Sequence, residues 1–126
     1  MDENIKILLV DDEHDIALAF RLGLQSGGFS VDTFTNPTSA LDNFRTGIYD
    51  LVIIDTVMPD MNGSEVYRKL KELDKKVKVC FLVPGKLYED ATRRLFPELN
   101  ESNFIQIPIA NEDFVRIVGE ALSYLG

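Results

Sequence analysis

Asp11, Asp12 and Glu13 form an acidic run directly after the apolar segment Ile5 to Val10, and Asp55 directly follows the apolar segment Leu51 to Ile54. Carboxylates brought together repel, so at least one pKa rises unless a cation offsets the charge. An oxygen-only donor set suits a hard ion such as Mg²⁺, which keeps several waters and takes one or two carboxylates. Asp12 beside a helix start also fits a plain cap, with Asp15 completing a capping-box-like pair. Asp55 ends an interior strand, where no cap is needed, and together the three aspartates favour a metal site. The connection that follows, Thr56 to Gly63, is about eight residues long. That exceeds the usual ~2–6 residues for its type, which leans toward a functional loop.

The elements that must position these residues are short and alternate in kind. Strands are predicted at Ile5 to Val10, Ser30 to Phe34, Leu51 to Ile54, Val77 to Val83 and Phe104 to Ile107. Helices are predicted from Asp12 to Gln25, from Pro37 to Thr46 with Asn36 as N-cap, from Ser64 to Leu73 and from Leu87 to Phe96. A last helix starts at Asn111 as its cap. Ile16, Phe20 and Leu24 form the expected buried stripe of the first helix, and Val66, Leu70 and Leu73 that of the third. Five βα units imply a parallel sheet covered on both faces. In such sheets the functional crevice lies beyond the carboxyl ends of the strands, where residues 11–15, 55–63, 83–87 and 107–110 fall.

The chain has 126 residues and 21 acids against 13 bases, a net charge of −8. One domain spanning 1–126 with no output domain is expected from that length. A free-standing nucleic-acid binder needs a basic face, so direct nucleic-acid contact is not expected. One cysteine excludes an internal disulfide. No apolar run approaches the ~20 residues of a membrane helix, and the acidic start is unlike a signal peptide, so a cytoplasmic protein is expected.

Ile7-Leu8-Leu9-Val10-Asp11-Asp12-Glu13, followed by Asp55-x-x-Met58-Pro59-x-Met61-x-Gly63, resembles the receiver domain of two-component response regulators. The resemblance covers the whole chain. It implies a flavodoxin-like (βα)5 fold with sheet order 2-1-3-4-5. It places Asp55 at the phosphoacceptor position. Asp12, Asp55 and the backbone carbonyl of Val57 fall where Mg²⁺ is held, with Asp11 acting through water. It also implies a histidine kinase or another signalling protein as partner, met through the face of helix four, strand five and helix five, around Tyr88, Arg93, Arg94 and Phe96. Any chemistry would be at most self-catalysed phosphoryl transfer to Asp55.

The pattern breaks at three positions that contact the phosphoryl group in the family. Val83 stands where a hydroxyl residue ends strand four. Pro84 stands where a backbone N–H is used, and proline has none. Ile107 replaces the lysine of strand five. Phe104 occupies the position of the family's switch aromatic, and plain packing describes it equally well. Hydrogen bonds to charged groups contribute ~1.5–3 kcal/mol each, so a half-site lacking them holds a phosphoryl group poorly. The expected function is a stand-alone receiver module with a degenerate phosphoryl half-site. A fully phosphorylatable Mg²⁺-dependent receiver and a small flavodoxin-like enzyme or nucleotide binder remain as alternatives. Lys86 is expected as a solvated loop lysine, His14 on a helix surface and Cys80 as a buried, inert side chain. The six bases between Arg68 and Lys78 are expected to form a solvated face.

Overall fold

The computed structural model describes residues 5–125, with side chains described to residue 123. Its elements in chain order are β1 (Lys6–Val10), α1 (His14–Ser26), β2 (Ser30–Phe34), α2 (Pro37–Asn43), β3 (Leu51–Asp55), α3 (Gly63–Leu73), β4 (Val79–Val83), α4 (Lys86–Leu95), a 3-10 turn (Glu101–Asn103), β5 (Phe104–Gln106) and α5 (Asn111–Leu125). The strands are parallel in the order β2-β1-β3-β4-β5. This is the flavodoxin-like arrangement expected from the alternating pattern.

Strands β3 and β4 are buried along their whole length, because helices cover both faces of the sheet. The period of two divides their side chains between two cores. Val10, Ile54, Phe81, Val83 and Phe104 face the layer of α2, α3 and α4. Leu9, Ile53, Leu82 and Ile105 face the layer of α1 and α5. Phe20 of α1 and Phe114 of α5 stack in that second core with centroids 4.0 Å apart.

Several local expectations change. Ile16 is 41% exposed, and Ala17 takes the buried place beside Phe20 and Leu24. Leu73 is likewise exposed, while Tyr67 is buried with Val66 and Leu70. Helix α2 starts as predicted, with the Asn36 side chain accepting from the Ser39 N–H at 3.0 Å. It ends early, at Asn43, because the next residue, Phe44, turns extended and buries its ring. Gly47 then serves the following turn with φ +80°. Asn111 does not cap α5: its amide Nδ2 donates to the Ala19 carbonyl of α1 at 2.9 Å. The Phe114 N–H bonds to the Ala110 carbonyl instead, so the helix begins from Ala110.

Candidate functional site

The parallel pairing brings the carboxyl ends of β1 and β3 side by side, with Val10 opposite Ile54. Asp11 and Asp55 are therefore delivered to one crest. Carboxylate oxygens of Asp11, Asp12 and Asp55 all lie within 4.8 Å of one another. Asp11 is 2% exposed and Asp55 8%. Asp11 Oδ1 accepts the Glu13 N–H at 3.1 Å, and Asp55 Oδ1 accepts the Val57 N–H at 3.2 Å. These bonds aim each carboxylate and offset its charge only in part. Among the described residues, no ion pair reaches any of the three.

Burial, then the neighbouring charge of Asp11, pushes the Asp55 carboxyl up to about 7. Burial also raises Asp11, partly opposed by the Glu13 N–H. Three hard oxygen donors, two of them on buried residues and none matched by a protein cation, fit a divalent ion such as Mg²⁺. The cap alternative for Asp12 fails, because Glu13 holds the N-cap position of α1 and no side chain caps that helix.

The long loop after Asp55 is clamped at both ends. Thr56 donates its N–H and its hydroxyl to the Leu82 carbonyl of β4. The Gly63 N–H returns to the Thr56 carbonyl at 3.0 Å. A Cβ on Gly63 would lie 2.7 Å from the Asp55 carbonyl and 2.9 Å from Thr56 Cα. Glycine is required there by the close approach of backbone. The Asn62 side chain caps α3 by accepting the Glu65 N–H at 3.0 Å.

The ends of β4 and β5, the strands next along the sheet from β3, are apolar. Val83 is fully buried in the core under α3 and α4. Pro84 follows it without an N–H. The Ile107 N–H bonds the Val83 carbonyl at 2.8 Å, while its side chain packs against the core of α1 and α5. Lys86 does not serve these strand ends: its ammonium lies 3.4 Å from Glu89 and 3.5 Å from Asp90 on its own helix. Phe104 is 8% exposed and stacks on Phe81 at 5.6 Å, so its ring is inward.

His14 is exposed at the start of α1, and Cys80 is buried with its thiol pushed up to about 12 by desolvation. The bases Arg68, Lys69, Lys75 and Lys76 are exposed, as expected of a solvated face. Tyr88 and Arg94 are exposed on α4, while Arg93 pairs with Glu89 at 3.4 Å. Three residues near the site escaped the sequence reading. Thr56 and the buried Glu89 hold loop and helix in place, and Gln106 Nε2 donates to Glu89 at 3.1 Å, tying β5 to α4. A glutamate at i+3 from Lys86 and i−4 from Arg93 was the one available sign of Glu89.

Comparison with known proteins agrees with this geometry. The model of the response regulator receiver domain family matches residues 7–118. The chain is 31% identical over 120 residues to the uncharacterized transcriptional regulatory protein YkoG of Bacillus subtilis, covering 95% of this chain and 52% of YkoG. It is 32% identical over 77 residues to the response regulator receiver protein CpdR of Brucella abortus, covering 61% of this chain and 64% of CpdR. The chain spans about half the length of most of these curated relatives. Among solved structures, the non-phosphorylated HemR receiver domain from Leptospira biflexa superposes with a TM-score of 0.83 at 22% identity, covering 95% of each chain. A response regulator receiver domain protein from Clostridium thermocellum gives 0.78 at 24% identity, again over 95% of each. At those identities the likeness shows the fold.

Proposed function

Because the chain belongs to the response regulator receiver domain family, a module of two-component signalling, we propose that Asp55 is its phosphoacceptor and that the phosphorylated form is short-lived. The observation that carries this reading is the asymmetry of the crest. One side gathers Asp11, Asp12 and Asp55 within 4.8 Å. The other has Val83 without a hydroxyl, Pro84 without an N–H and Ile107 without an ammonium.

An Asp55 carboxylate oxygen attacks the phosphorus of a phosphohistidine or small phosphodonor. The bond from phosphorus to the donor's nitrogen or oxygen breaks, and the leaving group takes the electron pair and a solvent proton. Asp11, Asp12, Asp55 and the Val57 carbonyl would hold Mg²⁺, with Asp11 acting through water. When bound, that ion offsets the charge of the carboxylate and the phosphoryl oxygens. The Val57 N–H orients Asp55 by holding its Oδ1. Once transfer is complete, the far wall gives the new dianion no donor, and an uncompensated charge against apolar side chains is costly.

Output is by protein contact through α4, β5 and α5. Leu87 at 75%, Leu95 at 58% and Tyr88 at 46% exposure on α4 support a surface that a partner covers.

Incubation with a small phosphodonor and Mg²⁺, followed by intact-mass measurement, tests the reading. The expected result is a transient phosphoryl adduct that is absent in Asp55→Asn. A persistent adduct, stable for hours, would restore the fully competent receiver, and no adduct at any time would remove Asp55 as acceptor. Independently, ~10 mM Mg²⁺ should raise the melting temperature at neutral pH by mass action on the folded state, and Asp55→Asn should weaken that rise.

A further inference from the structure

Thr56 lies between two of the proposed Mg²⁺ ligands, the Asp55 carboxylate and the Val57 carbonyl. It is 7% exposed, although it opens a loop. Its N–H donates to the Leu82 carbonyl at 3.1 Å, and its hydroxyl donates to the same oxygen. Its own carbonyl accepts the Gly63 N–H at 3.0 Å. The N–H, hydroxyl and carbonyl are thus all engaged, and together they join the end of β3 to β4 and to the start of α3. Packing adds to this hold, because a Cβ on Gly63 would lie 2.9 Å from Thr56 Cα. We propose that Thr56 is a positioning residue for Mg²⁺, whose hydroxyl holds Asp55 and the Val57 carbonyl in the geometry that the ion requires. The inference rests on the reading of Asp55 and the Val57 carbonyl as ligands of that ion.

The strand pairing alone does not need the hydroxyl. Asp55 stands opposite Leu82, and the Thr56 N–H continues that ladder by itself. A valine of nearly the same shape would keep the ladder bond and the packing. The Leu82 carbonyl has two lone pairs, and the hydroxyl takes up the second. Two bonds to one acceptor resist a twist of Thr56 that a single bond permits. Val57 needs that support, because it is 50% exposed and its N–H reaches back to Asp55 Oδ1 at 3.2 Å. Any rotation at Thr56 therefore moves both ligands. Mg²⁺ demands near-octahedral geometry with oxygens at ~2.0–2.1 Å, so a small drift of either ligand costs affinity. Strand β4 thereby serves the site through the Leu82 carbonyl, one residue before Val83, rather than through a side chain.

The test is titration with Mg²⁺ and, separately, with Ca²⁺, followed by amide shifts in ¹⁵N spectra well below the melting temperature. Thr56→Val should raise the Mg²⁺ dissociation constant about fivefold, the effect of one lost hydrogen bond. Ca²⁺ accepts looser geometry, so its constant should rise less than about twofold in the same variant. Thr56→Ser keeps the hydroxyl and should bind Mg²⁺ within about twofold of wild type. Val52→Ala, in the buried middle of β3, should lower stability and leave both constants unchanged. Equal Mg²⁺ binding by wild type and Thr56→Val would overturn the proposal. So would equal weakening for the two ions, or a loss in Thr56→Ser or Val52→Ala as large as in Thr56→Val. A wild type that binds no Mg²⁺ would remove the ligand reading and this inference together. Phosphorylation does not enter these titrations, so the fate of the Asp55 adduct is decided separately.

Discussion

Asp55 carries the clearest pH consequence of any single residue. Its carboxyl is raised from 3.8 to about 7 by burial and by Asp11. An acid whose folded pKa lies above its unfolded value binds its proton more tightly in the folded state. Its ionisation therefore weakens the fold: no cost applies below 3.8, and the full cost applies above about 7. Melting curves of wild type and Asp55→Asn should diverge as pH rises through that window. The variant should become the more stable, by on the order of 1–2 kcal/mol at pH 8 after solvent screening. Parallel curves would mean that Asp55 ionises without penalty. The far wall is testable by restoration. Val83→Thr, Pro84→Ala and Ile107→Lys together should lengthen the lifetime of the Asp55 adduct at least tenfold, read by intact mass over time. An unchanged lifetime would show that the missing donors are not what limits it. The aspartates were legible in the sequence because Asp11 and Asp55 each directly follow an apolar run and Asp12 directly follows Asp11. Glu89 and Gln106 were not, since their contact joins a helix to a strand end 17 residues away.

At the scale of elements, two glycines look alike in the sequence and behave differently. Gly63 meets backbone: a Cβ would strike the Asp55 carbonyl and Thr56 Cα. Gly63→Ala should cost about 1–3 kcal/mol, because neither group can move without shifting the strand end. It should also weaken Mg²⁺ stabilisation, both read from thermal melts. Gly23 meets only the Asn111 side chain, with a Cβ 2.4 Å from Oδ1. Gly23→Ala gains about 1 kcal/mol of helix propensity and loses one hydrogen bond worth about 1 kcal/mol, so its melting temperature should stay near wild type. Helix α4 depends on Glu89, which receives Lys86, Arg93 and Gln106. Glu89→Ala leaves the Gln106 amide without that acceptor and should speed hydrogen exchange across Lys86–Leu95 relative to α3. Element types and most starts were readable from apolar spacing and caps such as Asn36. The early end of α2 and the role of Asn111 were not, because tertiary contacts of Phe44 and Ala19 decide them.

For the whole molecule, alternating strands and helices were enough to reach the doubly covered parallel sheet and the crest where the aspartates meet. The seam between α1 and α5 was beyond that reading, because no local pattern relates the two helices. Its contacts have a further consequence, in the order of events as the chain folds. The Asn111 bond to Ala19 spans 92 residues, and the Phe20–Phe114 stack joins the same two helices. Closing so long a loop costs entropy before those contacts return anything, whereas β1, β2 and β3 pair over shorter stretches of chain. The seam between α1 and α5 should therefore close after the rate-limiting step. Phe114→Leu, weakening it by about 1.4 kcal/mol, should speed unfolding about tenfold and leave the folding rate nearly unchanged in stopped-flow experiments. Slower folding would instead put the seam in the nucleus.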